Sequence, residues 1–508
     1  SDLIPTRWQS QNPKTNLAFA WMHLLRGAYA QAMPYLERLE TALSAPSLPE
    51  AEMSALQAEW LVLRSLLLSR AGKATESLAL AERALAIGPE ENGRVQSLVY
   101  FALATARLAI GDENGAVSNY HKAIQVAHVA DNHVADMLST SGLAMMAFER
   151  GQLHLASEIA IPASDRMERS GALSPISTVL YGILGEVLYQ WGQIEQAQHV
   201  ARRALQLSVL GGYASGLIGC RVLLSRVFQL AGDLAAAADE IQTAADMLQP
   251  DTPDYVRQEV VAQQACLYLA CKRPAAAEMA LMGEGFSFQD KWVFPVLPAE
   301  TSLSHSLGLL YNSSFRLLLH EWRNGHSASS LSPGLALADR LIAAARQAQK
   351  IPVTLEAYLL RAQMHTALGD HPAAQANYVR ALELAEPEGF IGVFVEQGLP
   401  VAAALSGLDT SALPDDVTPG FVRRILDAFN RLLLPDTAVQ PSLLVEPLTE
   451  RELEVLRLMA TGLKYKEIAA RLFISLNTVR YHVKALYGKL NVNNRTQALA
   501  AARQHKIL

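Results

Sequence analysis

The chain is short of several things, and each shortage narrows the reading. Only three cysteines, Cys220, Cys266 and Cys271, occur in 508 residues. An odd count with no C-x-x-C pair argues against a disulfide framework or a thiolate zinc site and is expected of buried free thiols in a reducing compartment. Long apolar runs are missing too. The longest uncharged stretch, Ala204 to Cys220, contains Gln206, Ser208, Gly211, Gly212 and Ser215, and it falls short of the ~20 apolar residues that a membrane span needs. No signal peptide precedes the first helix, so a soluble, cytoplasmic chain with no membrane partner is expected. The opening phrase Ile4-Pro-Thr-Arg-Trp8 begins without a methionine, as a piece of something longer would. No Ser/His/Asp elbow or metal-ligand pair occurs, and the 13 histidines are scattered, so neither an enzyme nor a metal site is expected. Aromatics make up 7% of the chain and β-branched runs are scarce. With Ala and Leu abundant, that balance favours an all-α fold.

What is present is a repeat. An apolar helical stretch, a short turn with glycine and a second Ala/Leu-rich stretch recur along most of the chain. The turn glycines include Gly27, Gly72, Gly111, Gly151, Gly192, Gly232 and Gly369, with steps of 39, 40, 41 and 40 between Gly72 and Gly232. The next step lands on Cys271-Lys272-Arg273, where the turn persists without its glycine. A weaker unit turns near Asn324-Gly325, and 283–301, with Pro295 and Pro298, reads as an insertion. Gly suits the left-handed position that ends a helix. Small residues such as Ala116 and Ala123 let the second helix approach the first. One pair cannot bury its apolar face, so neighbours must stack into a superhelix. About nine pairs are expected between Asn16 and Glu386. The repeat resembles the tetratricopeptide (TPR) motif with a longer period. Solenoids of this kind present a concave groove for a small inducer or a regulatory protein. Trp60, Tyr100, Tyr120, Tyr181 and Trp191 are candidates to line it, although packing between helices accounts for each more simply.

The last 61 residues differ in charge. Leu448 to Leu508 holds eleven basic and four acidic residues, a net of +7, while the remainder holds 32 basic and 45 acidic residues, a net of −13. The overall −6 conceals a basic module on an acidic body, the pattern of a chain whose small tail meets a polyanion. Thr449-Glu450-Arg451-Glu452 is a capping box, with Leu448 and Leu453 as its hydrophobic staple. The local grammar predicts a first helix ending near Thr461-Gly462, a second from about Lys466 to Leu472, a turn at Phe473-Ile474-Ser475, and a third from about Asn477 to Leu490. On the third, Val479, His482, Val483 and Leu486 share one face. Asn477, Arg480, Tyr481 and Lys484 share the opposite face, which suits base reading in the DNA major groove. Lys464, Lys466, Lys489 and Arg495 surround it as candidates for phosphate contacts.

From Leu448-Thr-Glu-Arg-Glu-Leu-Glu-Val-Leu through Lys466-Glu-Ile-Ala to 475–495, Ser-Leu-Asn-Thr-Val-Arg-Tyr-His-Val-Lys-Ala-Leu-Tyr-Gly-Lys-Leu-Asn-Val-Asn-Asn-Arg, the tail closely resembles the LuxR-type helix-turn-helix. The resemblance implies a small four-helix domain with Arg480, Tyr481 and Lys484 as base readers. It also implies Thr478 and His482 as framework and backbone contacts, and a dimer contact on the helix after Arg495. Where that family commonly has a Ser/Thr-Asn pair, Lys464-Tyr465 stands here, which removes the polar cap of the second helix and its phosphate contact; Lys464 is the replacement. A long helical-repeat region ahead of such a tail resembles the MalT-like, large ATP-binding LuxR regulators, which place an ATPase domain ahead of the repeats. No G-x-x-x-x-G-K-[ST] occurs here, because Gly72-Lys73-Ala74-Thr75 lacks both the upstream Gly and the Ser/Thr after Lys. No cofactor is therefore expected in this chain, and any ATP site would lie upstream of it.

The expected organisation is a TPR-like sensor array over 1–408, a terminal helix and Pro-containing linker over 409–447, and the helix-turn-helix over 448–508. The expected function is a DNA-binding transcription regulator, an activator by the resemblance, that binds double-stranded DNA as a homodimer or higher oligomer. The competing expectation is a protein-interaction scaffold whose groove binds peptides.

Overall fold

A computed structural model describes residues 12–44, 49–211, apart from 171–176, 213–288, 294–295, 297, 303–325, 331–409, 413–414, 416–433, 449–472, 476–489, 492, 495, 498–499 and 502; the side chains of 167–170, 208–211, 450, 470, 476, 477, 480, 481 and 488 are not described. The chain divides into two compact units, Ser1–Leu433 and Leu434–Leu508.

In the first unit, eighteen of the described helices form nine consecutive pairs. These are α1 (Pro13–Leu25) and α2 (Tyr29–Leu43), α3 (Glu50–Arg70) and α4 (Ala74–Ile87), α5 (Gly93–Ala109) and α6 (Glu113–Val129), α7 (His133–Glu149) and α8 (Leu153–Ser170), and α9 (Ser177–Gln190) and α10 (Ile194–Gly211). They continue with α11 (Ala214–Leu230) and α12 (Leu234–Asp246), α13 (Asp254–Ala270) and α14 (Pro274–Met282), α15 (His305–Arg323) and α16 (Leu331–Gln347), and α17 (Ile351–Ala367) and α18 (His371–Ala385).

The Gly-Asp turns explain how a pair closes. Gly111 sits at φ 83°, its N–H and that of Asp112 bond back to Leu108 O and Arg107 O, and the Asp112 carboxylate accepts from Gly115 N–H at 2.9 Å to start α6. Asp233 and Asp370 cap α12 and α18 in the same way. Where the repeat loses its glycine, Lys272 takes φ 57°, a conformation that costs a non-glycine residue about 1–2 kcal/mol. Ala116 and Ala123 are fully buried, as close approach of the pair requires. In the insertion, Phe286 packs on Phe288, Phe294 and Tyr311, and the Tyr311 hydroxyl donates to Pro295 O at 2.6 Å.

Successive pairs wind back onto one another. Gly27, in the turn of the first pair, lies beside Ser215 at the start of the sixth. Gly151, in the fourth, lies against Ile351 at the start of the ninth. Gly192, in the fifth, lies against Ile391, just beyond the ninth. Residues 386–398 thus stand where a tenth pair would begin. They form a single 3-10 turn (Glu386–Glu388) and a short helix α19 (Gly392–Val395). Ile391 N–H donates to Gln190 O at 2.6 Å, and Trp191 Nε1 donates to Glu388 O at 2.9 Å. Gly392 permits this docking, because a Cβ there would stand 2.5 Å from Tyr189 O.

Two more helices, α20 (Leu399–Ser406) and α21 (Pro419–Leu433), complete the unit. Phe421, Val422, Ile425, Ala428 and Phe429 of α21 belong to the array's own core. The unit therefore runs past the boundary expected at 408, because the apolar face of α21 finds its partner in the array. The proline-containing stretch 435–447 lies outside the described residues.

The second unit holds α22 (Glu450–Ala460), α23 (Tyr465–Leu472) and α24 (Leu476–Lys489). Val455, Met459, Ile468, Val479 and Val483 form its centre. The turn at 473–475 and Leu448 of the expected staple lie outside the described residues, as does most of the helix expected after Arg495. Of that helix, Ala498 and Ala502 are buried against Leu456 and Leu486.

Candidate nucleic-acid interface and a charged cavity

The second unit is set up by its caps. The Thr449 hydroxyl accepts from Glu452 N–H at 3.2 Å, and the Glu452 carboxylate accepts from Thr449 N–H at 2.7 Å, the reciprocal capping box. At the start of α23 the Ser/Thr half is absent, but the acidic half is kept: the Glu467 carboxylate accepts from Lys464 N–H at 2.6 Å. Arg451 donates to Leu472 O at 2.9 Å and closes the far end of α23.

Helix α24 is two-faced. Val479, Val483 and Leu486 are buried, and His482 is half-buried, with its pKa lowered chiefly by burial. Lys484 is exposed, as are Lys464 just before α23 and Lys466 in its first turn; Thr478 is half-buried. Asn477, Arg480 and Tyr481 lie within α24, and their side chains are outside the described residues.

Two of the basic residues expected to meet phosphate make bonds within the unit. The Lys489 ammonium donates to Glu452 Oε2 at 3.0 Å, with side chains only 12% and 5% exposed. Arg495 donates to Leu463 O at 2.8 Å and to Met459 O at 2.5 Å, which satisfies carbonyls at the end of α22. Sequence alone offers eleven cations of one kind. Packing separates these two from Lys464, Lys466 and Lys484.

The first unit holds a half-open cavity of about 620 Å³, lined largely by the first helices of the fourth to ninth pairs. Its polar side chains form a network across repeats. Arg226 on α11 donates to both oxygens of Glu186 on α9 at 2.8 and 2.7 Å, and its Nε donates to Glu396 at 3.0 Å. The Tyr189 hydroxyl donates to the same Glu396 oxygen at 2.7 Å, and the guanidinium lies 4.4 Å from the Tyr189 ring centre. Arg316 on α15 donates to Glu356 on α17 at 2.7 and 2.9 Å and to Glu396 O at 3.2 Å. Burial would push the Glu396 carboxyl up, but Arg226 and Arg316 outweigh burial and hold it below the usual range. The post-repeat segment therefore sends the Glu396 side chain into the cavity, where two arginines grip it.

Two residues of the lining stand outside this network. Among the described residues, Glu259 on α13 has no hydrogen-bond or ion-pair partner. Burial, then the neighbouring Glu186 and Glu149 carboxylates, push its pKa up to about 8, against the pull of Arg226. His305 at the start of α15 keeps Nδ1 buried without a partner, and burial lowers its pKa to about 4.

The aromatic candidates do not line this space. Trp60 and Trp191 spend their indole N–H groups on Leu36 O and Glu388 O, Tyr120 and Tyr181 are buried in the packing, and Tyr100 stands beside Lys122. The lining had a signal that sequence reasoning missed. Glu186 and Arg226 are 40 residues apart, as are Arg316 and Glu356. Opposite charges separated by one repeat sit at the same position on adjacent first helices.

Known proteins share both units. The family described as the MalT-like TPR region matches residues 58–411, and the luxR family of bacterial regulatory proteins matches residues 446–502. The HTH-type transcriptional regulator MalT of Yersinia enterocolitica is 24% identical over 542 residues, covering 99% of this chain and 55% of that protein. MalT of Serratia proteamaculans is 24% identical over 530 residues, with the same coverage of 99% and 55%. The chain thus spans about half the length of the curated relatives it matches. Among solved structures, a Rap protein complexed with Competence and Sporulation Factor shares the fold, with a TM-score of 0.51 and 13% identity over 75% of this chain and 99% of that one.

Proposed function

The chain belongs to the MalT-like TPR family and carries a luxR-family tail, and from that premise we propose that it is a transcription regulator whose helical array receives a signal and whose tail reads DNA. The observation that carries the reading is the polarity of α24: Val479, Val483 and Leu486 are buried behind it while Lys484 is exposed in front. A helix with that polarity fits the major groove, with side chains on its outer face meeting base edges. We assign base reading to Asn477, Arg480, Tyr481 and Lys484. Phosphate contacts fall to Lys464 and Lys466, with Thr478 and His482 flanking the backbone. Lys489 and Arg495 hold the fold of the reader rather than the DNA. Activation is the regulatory sense adopted from the family, and dimers or higher oligomers would occupy repeated or palindromic half-sites.

The cavity is the natural input. Its arginines hold Glu396, and the chain continues from Glu396 through α20 and α21 toward the reader, so an occupant that competes for that grip alters the last elements of the array. The test is footprinting of the full chain on its host's own promoters. Protection of a discrete site is expected, with binding that weakens steeply with salt as counterions are released. Uniform, sequence-independent protection would overturn the reading in favour of a scaffold.

A further inference from the structure

We infer that the cavity takes a ligand bearing an aliphatic ammonium, seated against the Glu259 carboxylate. The inference rests on the cavity being the regulator's input site. It follows from what the lining has already used. The two arginines that face the cavity, Arg226 and Arg316, are bound to Glu186, Glu356 and Glu396. Glu149 holds the ammonium of Lys350 at 2.6 Å. An anionic ligand would therefore meet paired cations and an excess of carboxylates.

Glu259 is the carboxylate facing the cavity that lacks a partner among the described residues. Protein surrounds it, and its surface is only partly accessible because it opens on the cavity. An unpaired buried charge is unfavourable and neutralises by binding a proton. An ammonium arriving in the cavity replaces that proton and restores the ion pair. Tyr255 stands one helical turn before Glu259 on α13 and also lines the cavity, offering an aromatic ring for a cation beside the carboxylate. His305, also in the lining, is held neutral by burial and adds no positive charge to repel the guest. At about 620 Å³ the space suits a small molecule or a short peptide end.

A free amine and a peptide amino terminus share this chemistry, and the experiment separates them. The full chain is titrated calorimetrically with 1,4-diaminobutane and with triglycine amide; 1,4-butanediol and N-acetyltriglycine amide serve as neutral controls. The groups facing Glu259 across the cavity are Glu149, Glu186 and Arg226. At pH 6.5 Glu259 is protonated, and at pH 8.5 it is mostly ionised while the diamine stays charged. Diamine affinity should therefore rise about twentyfold between those pH values.

Glu259→Gln mimics the protonated acid and should fold normally. It should lose at least about tenfold in diamine affinity at pH 8.5, together with the pH dependence. Binding of the peptide amide but not its acetylated form identifies an amino terminus as the source, and binding of the diamine alone identifies a free amine. The inference is overturned if neither ammonium binds, if 1,4-butanediol binds as tightly as the diamine, or if Glu259→Gln binds as tightly as the parent. Promoter footprinting on the same samples keeps the two readings apart. Site protection without ammonium binding removes the ligand assignment and leaves the regulator, whereas absent site protection removes the regulator whatever the calorimetry shows.

Discussion

The array and the reader are both made of short amphipathic helices, yet they treat charge in opposite ways. The acidic array turns many of its charges inward and pairs them across repeats, as in Arg226 with Glu186 and Arg316 with Glu356. The basic reader pairs a few cations internally and leaves Lys464, Lys466 and Lys484 exposed. The difference teaches that a charge acquires its role from its partner, not from its sign. A guanidinium held by two carboxylates fixes the register of stacked helices. An exposed ammonium beside a helix-turn-helix is available to a phosphate.

The largest effect should come from breaking the array's side of this contrast. Arg226→Ala leaves Glu186 and Glu396 without their shared cation and should cost about 3–5 kcal/mol in stability, as removal of one buried partner does. Denaturant unfolding of the full chain checks it, and a shift below 1 kcal/mol would show that the network carries little.

A smaller contrast lies within the reader. Lys489→Ala removes the partner of Glu452 and should lower the unfolding midpoint of the second unit by the equivalent of about 3 kcal/mol. Lys466→Ala should leave that midpoint unchanged but reduce the salt dependence of DNA binding by about one counterion. Equal behaviour of the two variants in both measurements would erase the distinction between structural and DNA-facing cations.

Much of the fold was legible in the chain because turns are local. Gly111 announces the left-handed end of a helix, and it stands there at φ 83°; the Asp112 carboxylate that caps the next helix was not anticipated. Thr449 and Glu452 announce a capping box, and it forms. The start of α23 was half legible: the missing hydroxyl was evident, but Glu467 reaching back to Lys464 N–H was not anticipated. What escaped the sequence depends on contacts between residues far apart along the chain. Tyr189 and Glu396 are 207 residues apart and Glu149 and Lys350 are 201 apart, so nothing local announces that they meet. The winding that returns the first, fourth and fifth turns to the fifth pair beyond them brings them together. Lys489 and Arg495 escaped for a related reason, since only packing decides which of several similar cations points inward.

The smallest expected effect concerns the repeat that lost its glycine. Lys272→Gly should stabilise the first unit by about 1 kcal/mol, because the left-handed conformation at φ 57° strains lysine and not glycine. Thermal unfolding of both forms checks it, and destabilisation would mean that the lysine side chain makes a contact worth more than the strain.

The claim on which the account turns is that the outer face of α24 reads base sequence. It is tested most directly by comparing the affinity of the parent and of the Arg480→Ala/Lys484→Ala variant for a protected promoter fragment and for a scrambled fragment, at one salt concentration. Each lost base contact is worth about 1–3 kcal/mol of discrimination. The parent should strongly prefer the promoter, and the variant should bind both fragments alike. A variant that keeps the parent's preference would contradict it.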